Sequence, residues 1–183
     1  KIAEVEEVLA GLGLVREIVR GLEWPDVEET EPTLVGNALL KARAVQIATG
    51  LTAVADDTGL EVDALGGEPG VHTARYAGPD ASYSDNVAKL LAEMDGVKRR
   101  SARFKTAIAL VDASGKEITV EGVVEGEITT QQRGDGGFGY DPVFSVGGRT
   151  FAEMGSEEKH RISHRALALR ALAAALGADG TRG

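Results

Sequence analysis

The chain has no cysteine among its 183 residues. That excludes disulfides and thiolate metal sites, and it fits a reducing, cytoplasmic setting. No apolar run reaches the length a bilayer-spanning helix needs, so no membrane is expected as a partner. Basic residues are in deficit, 20 against 29 acidic ones, which leaves a net charge of −9. An acidic surface repels long polyanions, so no nucleic-acid polymer is expected as a partner. Small anions are not excluded, because local basic groups and a divalent ion can neutralise them. Glycine, by contrast, is abundant: 24 residues, several of them clustered where backbone could approach a ligand. The length suits one domain with a sizeable core, and no repeat or linker divides residues 1–183.

The stretch with most chemical content is Thr52-Ala53-Val54-Ala55-Asp56-Asp57-Thr58-Gly59-Leu60. It reads as a short apolar strand, Ala53 to Ala55, ending in two adjacent carboxylates, with a turn just beyond. Two neighbouring acids cannot both be buried unpaired, because an ionised carboxylate loses too much hydration. Alternation along a strand points Asp56 and Asp57 to opposite sides. One can then face a ligand while the other braces the chain from behind. An ordinary acidic turn would look the same in isolation.

Around that stretch the periodicities alternate. Ile2, Val5, Val8, Leu9 and Leu12 fall at helical spacing, and a strand is expected over Leu14 to Val19. An acidic loop carrying Glu28, Glu29 and Glu31 follows. Pro32-Thr33 then opens a helix with Leu34, Ala38, Leu39, Ala42 and Val45 on one face and Gly50 as its stop. The glycines of Leu65 to Gly70 predict a long irregular loop as far as Tyr76, and Ser84 an N-cap for a helix bearing Val87, Leu90, Leu91 and Met94. Ala102, Phe104, Thr106, Ile108 and Leu110 alternate with Arg103 and Lys105 in strand fashion. Turn residues Asp112 to Lys116 and a returning strand through Ile118, Val120 and Val124 make a hairpin. A short strand over Val143 to Val146 and a helix from Ser163 through Leu169, Leu172 and Leu176 to Gly177 complete a mixed α/β (α+β) chain.

Four polar clusters stand out: Glu28 with Glu29, Asp56 with Asp57, Phe138-Gly139-Tyr140-Asp141, and Lys159 with His164 and Arg165. Cations around a helix start oppose the macrodipole, so that last group addresses an anion or a hydrogen-bond acceptor. The glycines flanking Phe138 would let backbone approach a flat ligand on which the ring can stack. Carboxylates for a divalent ion, basic groups and an aromatic surface together describe a nucleotide site.

Ala55-Asp56-Asp57-Thr58-Gly59-Leu60, Pro69-Gly70 through Ala74-Arg75-Tyr76, Gly136-Gly137-Phe138-Gly139-Tyr140-Asp141-Pro142 and Lys159 through Ser163-His164-Arg165 resemble the inosine triphosphate pyrophosphatase family, in the family's order and over nearly the whole chain. The resemblance implies an elongated, twisted mixed sheet flanked by helices, two lobes with a central cleft, and a cytoplasmic homodimer. It implies Mg²⁺-dependent hydrolysis of inosine, deoxyinosine and xanthosine triphosphates between the α and β phosphates, giving monophosphate and pyrophosphate. Asp57 is then the proton acceptor and a metal-linked carboxylate, and Glu28 and Glu29 supply the second acidic side of the metal site. Lys1, Thr58, Phe138, Gly139, Tyr140, Asp141, Lys159, His164 and Arg165 contact substrate.

Two departures accompany the resemblance. The family's Glu-Asn-Ala signature has Gly36 in place of the glutamate, ahead of Asn37-Ala38. Of the family's opening strand and phosphate loop, Lys1 alone is present, so roughly ten residues with a strand of about 5–6 are expected ahead of it. Two alternatives remain at this point. One is a module that binds a triphosphate without cleaving it; the other is a pyrophosphatase for modified pyrimidine triphosphates.

Overall fold

The computed structural model describes residues 18–19 and 21–179. Lys1, the helix expected from Ile2 and most of the strand expected over Leu14 to Val19 lie outside them. Ile18 and Val19, the described end of that strand, belong to no regular element.

Helix α1 spans Leu34–Thr49. Thr33 caps it by accepting the Gly36 N–H at 3.0 Å, and Gly50 closes it with φ 68°, so both expected boundaries hold. The buried face differs by one residue type: Leu34, Ala38 and Ala42 are joined by Asn37, while Leu39 and Val45 are half-buried. Strand β1 runs Ala53–Val62. The chain does not turn after Asp57 as the sequence suggested; it stays extended for five more residues. The buried Leu60 and Val62, both fully covered, give the strand a reason to continue.

Short 3-10 turns at Asp63–Leu65 and Thr73–Arg75 flank β2, Pro69–Gly70. The loop expected to be irregular is therefore partly ordered. Helix α2 is Tyr83–Glu93, with Ser82 rather than Ser84 as its N-cap. Asp85, three residues after Ser82, completes a capping box, whereas Ser84 has Val87 in that position. Strands β3, Ser101–Val111, and β4, Glu117–Ile128, form the expected hairpin. Strands β5, Phe144–Val146, and β6, Arg149–Thr150, follow. A 3-10 turn at Phe151–Glu153 leads to α3, Ser156–Ile162, and α4, His164–Asp179. The final helix thus continues through Gly177, which the sequence marked as its end.

The strands make a six-stranded sheet in the order β2-β1-β3-β4-β5-β6. Strands β1 and β2 pair antiparallel with Leu60 opposite Gly70, β4 and β5 with Ile128 opposite Phe144, and β5 and β6 with Ser145 opposite Thr150. The chain forms two compact units. The first holds the described residues up to Asp57, Thr106–Gly122 and the described residues from Arg165; the second holds Thr58–Lys105 and Val123–His164. Their boundaries fall inside β1, β3, β4 and α4, so no linker composition marks them.

Each unit has its own core. In the first, Ile108 and Leu110 of β3 pack on Ala168, Leu169 and Leu172 of α4, with Ile118, Val120 and Leu176 at the margin. The isoleucine and each leucine of this set contribute about 1.5–3 kcal/mol on full burial. In the second, Phe104, Phe144 and Phe151 form an aromatic cluster, with ring centroids 4.7 Å apart for Phe104–Phe144 and 5.1 Å for Phe144–Phe151. Three of the chain's four phenylalanines are consumed there. The fourth, Phe138, is 49% exposed, which packing does not explain.

Candidate active site

Strand alternation separates Asp56 from Asp57, and each acid meets a different cation. Asp56 Oδ2 accepts from Arg165 Nη2 at 3.1 Å and Nε at 3.3 Å. Arg165 is buried in the first turn of α4, so Asp56 is the bracing member of the pair. Asp57 Oδ1 accepts from Lys41 Nζ at 2.9 Å, and Oδ2 from Asn37 Nδ2 at 3.3 Å. Lys41 Nζ also donates to Glu29 Oε1 at 2.9 Å. One ammonium thus stands between two carboxylates, one from the acidic loop and one from β1.

This 1:2 ratio sets the electrostatics. Burial raises the Asp57 pKa above the ordinary carboxylate range, and the negative charge of Glu29 adds to it. Hydrogen bonds and charge from Lys41, and the Asn37 amide, pull the other way without overcoming burial. For Lys41, burial is the largest influence and lowers the pKa; hydrogen bonds and charge from Glu29 and Asp57 together exceed it, so the net shift is upward. The ammonium is therefore held charged, and the carboxylate it serves is easier to protonate than a free one.

Asn37 and Lys41 lie one turn apart on α1 and so share a face. The Asn37 side chain also receives the Glu31 N–H on Oδ1 at 3.0 Å, tying the acidic loop to the helix. Gly36 permits that approach. A Cβ there would lie 2.6 Å from Glu31 Cβ and 2.9 Å from its Cγ, closer than such atoms come. The side chain of Glu31 fills the space that a side chain at position 36 would need.

In the second unit, Asp141 Oδ2 accepts the Phe138 N–H at 2.7 Å and a hydrogen bond from Lys159 Nζ. Lys159 Nζ also lies 4.8 Å from the centre of the Phe138 ring. The turn depends on Gly137, φ 76°, because a Cβ there would lie 2.1 Å from Asp141 Oδ2. Phe138 and the exposed Tyr83 present neighbouring rings, 6.3 Å apart and inclined at 45°. Tyr140 is buried and donates its hydroxyl to Thr73 O at 3.0 Å, and burial raises the pKa of its phenol. Gly139 supports the same turn with φ 62°.

The sequence-predicted residues thus divide. Glu29 and Asp57 meet through Lys41, and Phe138, Asp141 and Lys159 meet directly. Glu28 is exposed, and Thr58 is half-buried on β1. Lys159 lies inside α3 rather than at a helix start. His164 is buried, stacked on Phe104 at 4.8 Å, and Arg165 is engaged by Asp56. Two site residues escaped sequence reasoning, Lys41 and Asn37. Their signal was present: two polar residues at i and i+4 in a helix otherwise built largely of apolar residues.

For Mg²⁺, the donor set is the test. No group of three or more histidine, aspartate or glutamate side chains among the described residues could hold a metal by itself. Mg²⁺ commonly uses only one or two carboxylates, with waters and substrate phosphates completing its oxygen shell. Glu29 and Asp57 fit that requirement. No helix among the described residues is long and apolar enough to cross a membrane.

Comparison with known proteins identifies the family. The family model of the Ham1 family matches residues 1–175. The dITP/XTP pyrophosphatase of Chlorobaculum tepidum is 53% identical over 171 residues, covering 83% of this chain and 76% of the relative. That of Methylococcus capsulatus is 48% identical over 184 residues, covering 97% and 92%. Among solved structures, a Ham1 protein from Coxiella burnetii superposes with a TM-score of 0.84 at 38% identity, covering 96% of this chain and 92% of that one. A nucleoside-triphosphatase (dITP/XTP pyrophosphatase) from Mycobacterium abscessus gives 0.80 at 44%, covering 93% and 91%.

Proposed function

Because the chain belongs to the Ham1 family, we propose that it hydrolyses dITP, ITP and XTP to the monophosphate and pyrophosphate, clearing altered purines from the nucleotide pool. The observation that carries this reading is the meeting of Glu29 and Asp57 on one lysine while Asp56 is separately neutralised by Arg165. A bracing pair alone would leave Asp57 without a task.

In this reading Asp57 accepts the proton of the attacking water. Burial favours that role, since a carboxylate of raised pKa is a stronger base. Lys41 orients the Asp57 carboxylate through Oδ1 and offers positive charge toward the phosphates. Glu29 and Asp57, with Glu28 beside them in the loop, would hold Mg²⁺. When bound, the ion would offset charge developing on the phosphate oxygens. Phe138 offers its exposed ring to the base, and Lys159 and the neighbouring Gly139, Tyr140 and Asp141 keep that ring in place. Thr58 and Lys1 complete the substrate contacts.

Base choice follows from donors. Hypoxanthine and xanthine carry an oxo group where adenine carries an amino group, and donors on His164 and Arg165 would face another donor if adenine bound. A homodimer and a cytoplasmic location belong to the same proposal.

A nucleotide panel tests it. Release of pyrophosphate from dITP, ITP and XTP with Mg²⁺, lost on chelation, is the expected result. Equal release from dATP, or preference for modified pyrimidine triphosphates, would overturn the substrate assignment.

A further inference from the structure

Asn37 has no exposed surface, and the reaction above gives it no task. Buried amides need partners for both ends, and those of Asn37 lead to the two acidic sides of the candidate site. Oδ1 takes the Glu31 N–H at 3.0 Å, two residues beyond Glu29, and Nδ2 donates to Asp57 Oδ2 at 3.3 Å. One turn later on the same face, Lys41 bridges the two carboxylates at 2.9 Å each. The loop backbone that carries Glu29 and the side chain of Asp57 are therefore pinned by one amide group. Its frame is fixed by α1, whose Thr33 cap lies just ahead of it.

We propose that Asn37 is a positioning residue that sets the spacing of Glu29 and Asp57, holding the pair ready before a nucleotide arrives. This rests on reading Asp57 as the proton acceptor. It differs from the account in which a buried amide merely satisfies two polar groups. That account predicts lost stability and no effect specific to turnover. Positioning predicts a fall in kcat with KM near its original value, because the pair matters to the reacting geometry more than to binding.

Two variants separate the two arms of the amide. Asn37→Asp keeps an acceptor for the Glu31 N–H and puts a second acceptor where Asp57 needs a donor. Asn37→Ala removes both arms. Hydrogen exchange at the Glu31 amide, followed by NMR, reads the loop arm; kcat and KM on dITP read the Asp57 arm. Expected for Asn37→Asp are a protected Glu31 amide and a kcat about 10–100-fold lower, the usual cost of losing a residue that supports a site's own ligands. Asn37→Ala should lose both protection and turnover. Wild-type kcat in Asn37→Asp, or unchanged Glu31 exchange in Asn37→Ala, would overturn the proposal. If the wild-type protein releases no pyrophosphate from dITP, the activity reading fails instead, and the Glu31 exchange still decides whether Asn37 pins the loop.

Discussion

Lys41 Nζ lies 2.9 Å from Asp57 Oδ1 and 2.9 Å from Glu29 Oε1, so a single cation answers two carboxylates. Removing it withdraws the hydrogen bond and the charge that hold the Asp57 pKa down, while burial and Glu29 continue to push it up. Lys41→Met should therefore raise the Asp57 pKa further. A base must be ionised to act, so the acid limb of kcat/KM should move to higher pH. A pH–rate profile checks this, and an unmoved limb would show that Lys41 does not govern Asp57.

Asp57→Asn keeps the shape of the side chain and removes proton acceptance. Turnover should fall at least about 10²-fold with nucleotide binding largely retained. Stability should move differently. A carboxylate whose pKa is raised on folding takes up a proton in the folded chain before the unfolded one does. Its contribution to stability then falls as pH rises through that window and stays low above it. Deleting this charge should therefore lower Tm at neutral pH less than Asp56→Asn does, because Lys41 keeps its bond to Glu29. Near-normal turnover in the variant would remove Asp57 from the role of base.

Asp56→Asn should show the reverse pattern. It deprives the buried Arg165 of its carboxylate, and breaking a buried pair costs up to about 3–5 kcal/mol. Asp56 is 29% exposed on its side chain, so the loss belongs at the lower end. A thermal melt should show a clear drop in Tm with turnover less affected than in Asp57→Asn. Equal losses of turnover would mean that the two acids act as one unit.

Gly36→Ala sets two effects against each other. Alanine gains up to about 1 kcal/mol over glycine within a helix, and less in the first turn. The added Cβ, however, would lie 2.6 Å from Glu31 Cβ, an atom close to the backbone that moves only if the loop moves. The clash should win, leaving Tm unchanged or lower. A higher Tm would show that Glu31 yields at no cost.

Much of this arrangement was legible in the sequence, because it depends on local rules. Thr33 and Gly50 bracket α1 as their chemistry requires, and alternation from Ala102 to Leu110 gave β3. The opposed directions of Asp56 and Asp57 follow from the pleat alone. What escaped depends on distant partners. The strand passes straight through two acids because Lys41 and Arg165, 16 and 109 residues away, neutralise them. Asn37 took a core position that periodicity assigns to apolar residues, since its two bonds offset the cost of burial. Helix α3 is seven residues long, too short for a periodic signal, so Lys159 could not be placed within it.

Base choice is tested by comparing dITP with dATP. His164 is buried against Phe104, so His164→Ala risks the core, and His164→Gln, which keeps a donor, is its control. Loss of the donor should lower kcat/KM on dITP and narrow the ratio of the two substrates. A ratio unchanged in His164→Ala would take His164 out of base recognition.

The central claim is that the bond between the α and β phosphates is the one hydrolysed, and the products of dITP report it directly. Phosphorus-31 NMR of dITP incubated with the protein and Mg²⁺ should show deoxyinosine monophosphate and pyrophosphate appearing together in equal amounts, with no deoxyinosine diphosphate. Diphosphate accompanied by inorganic phosphate would place the cleavage between the β and γ phosphates and contradict the account.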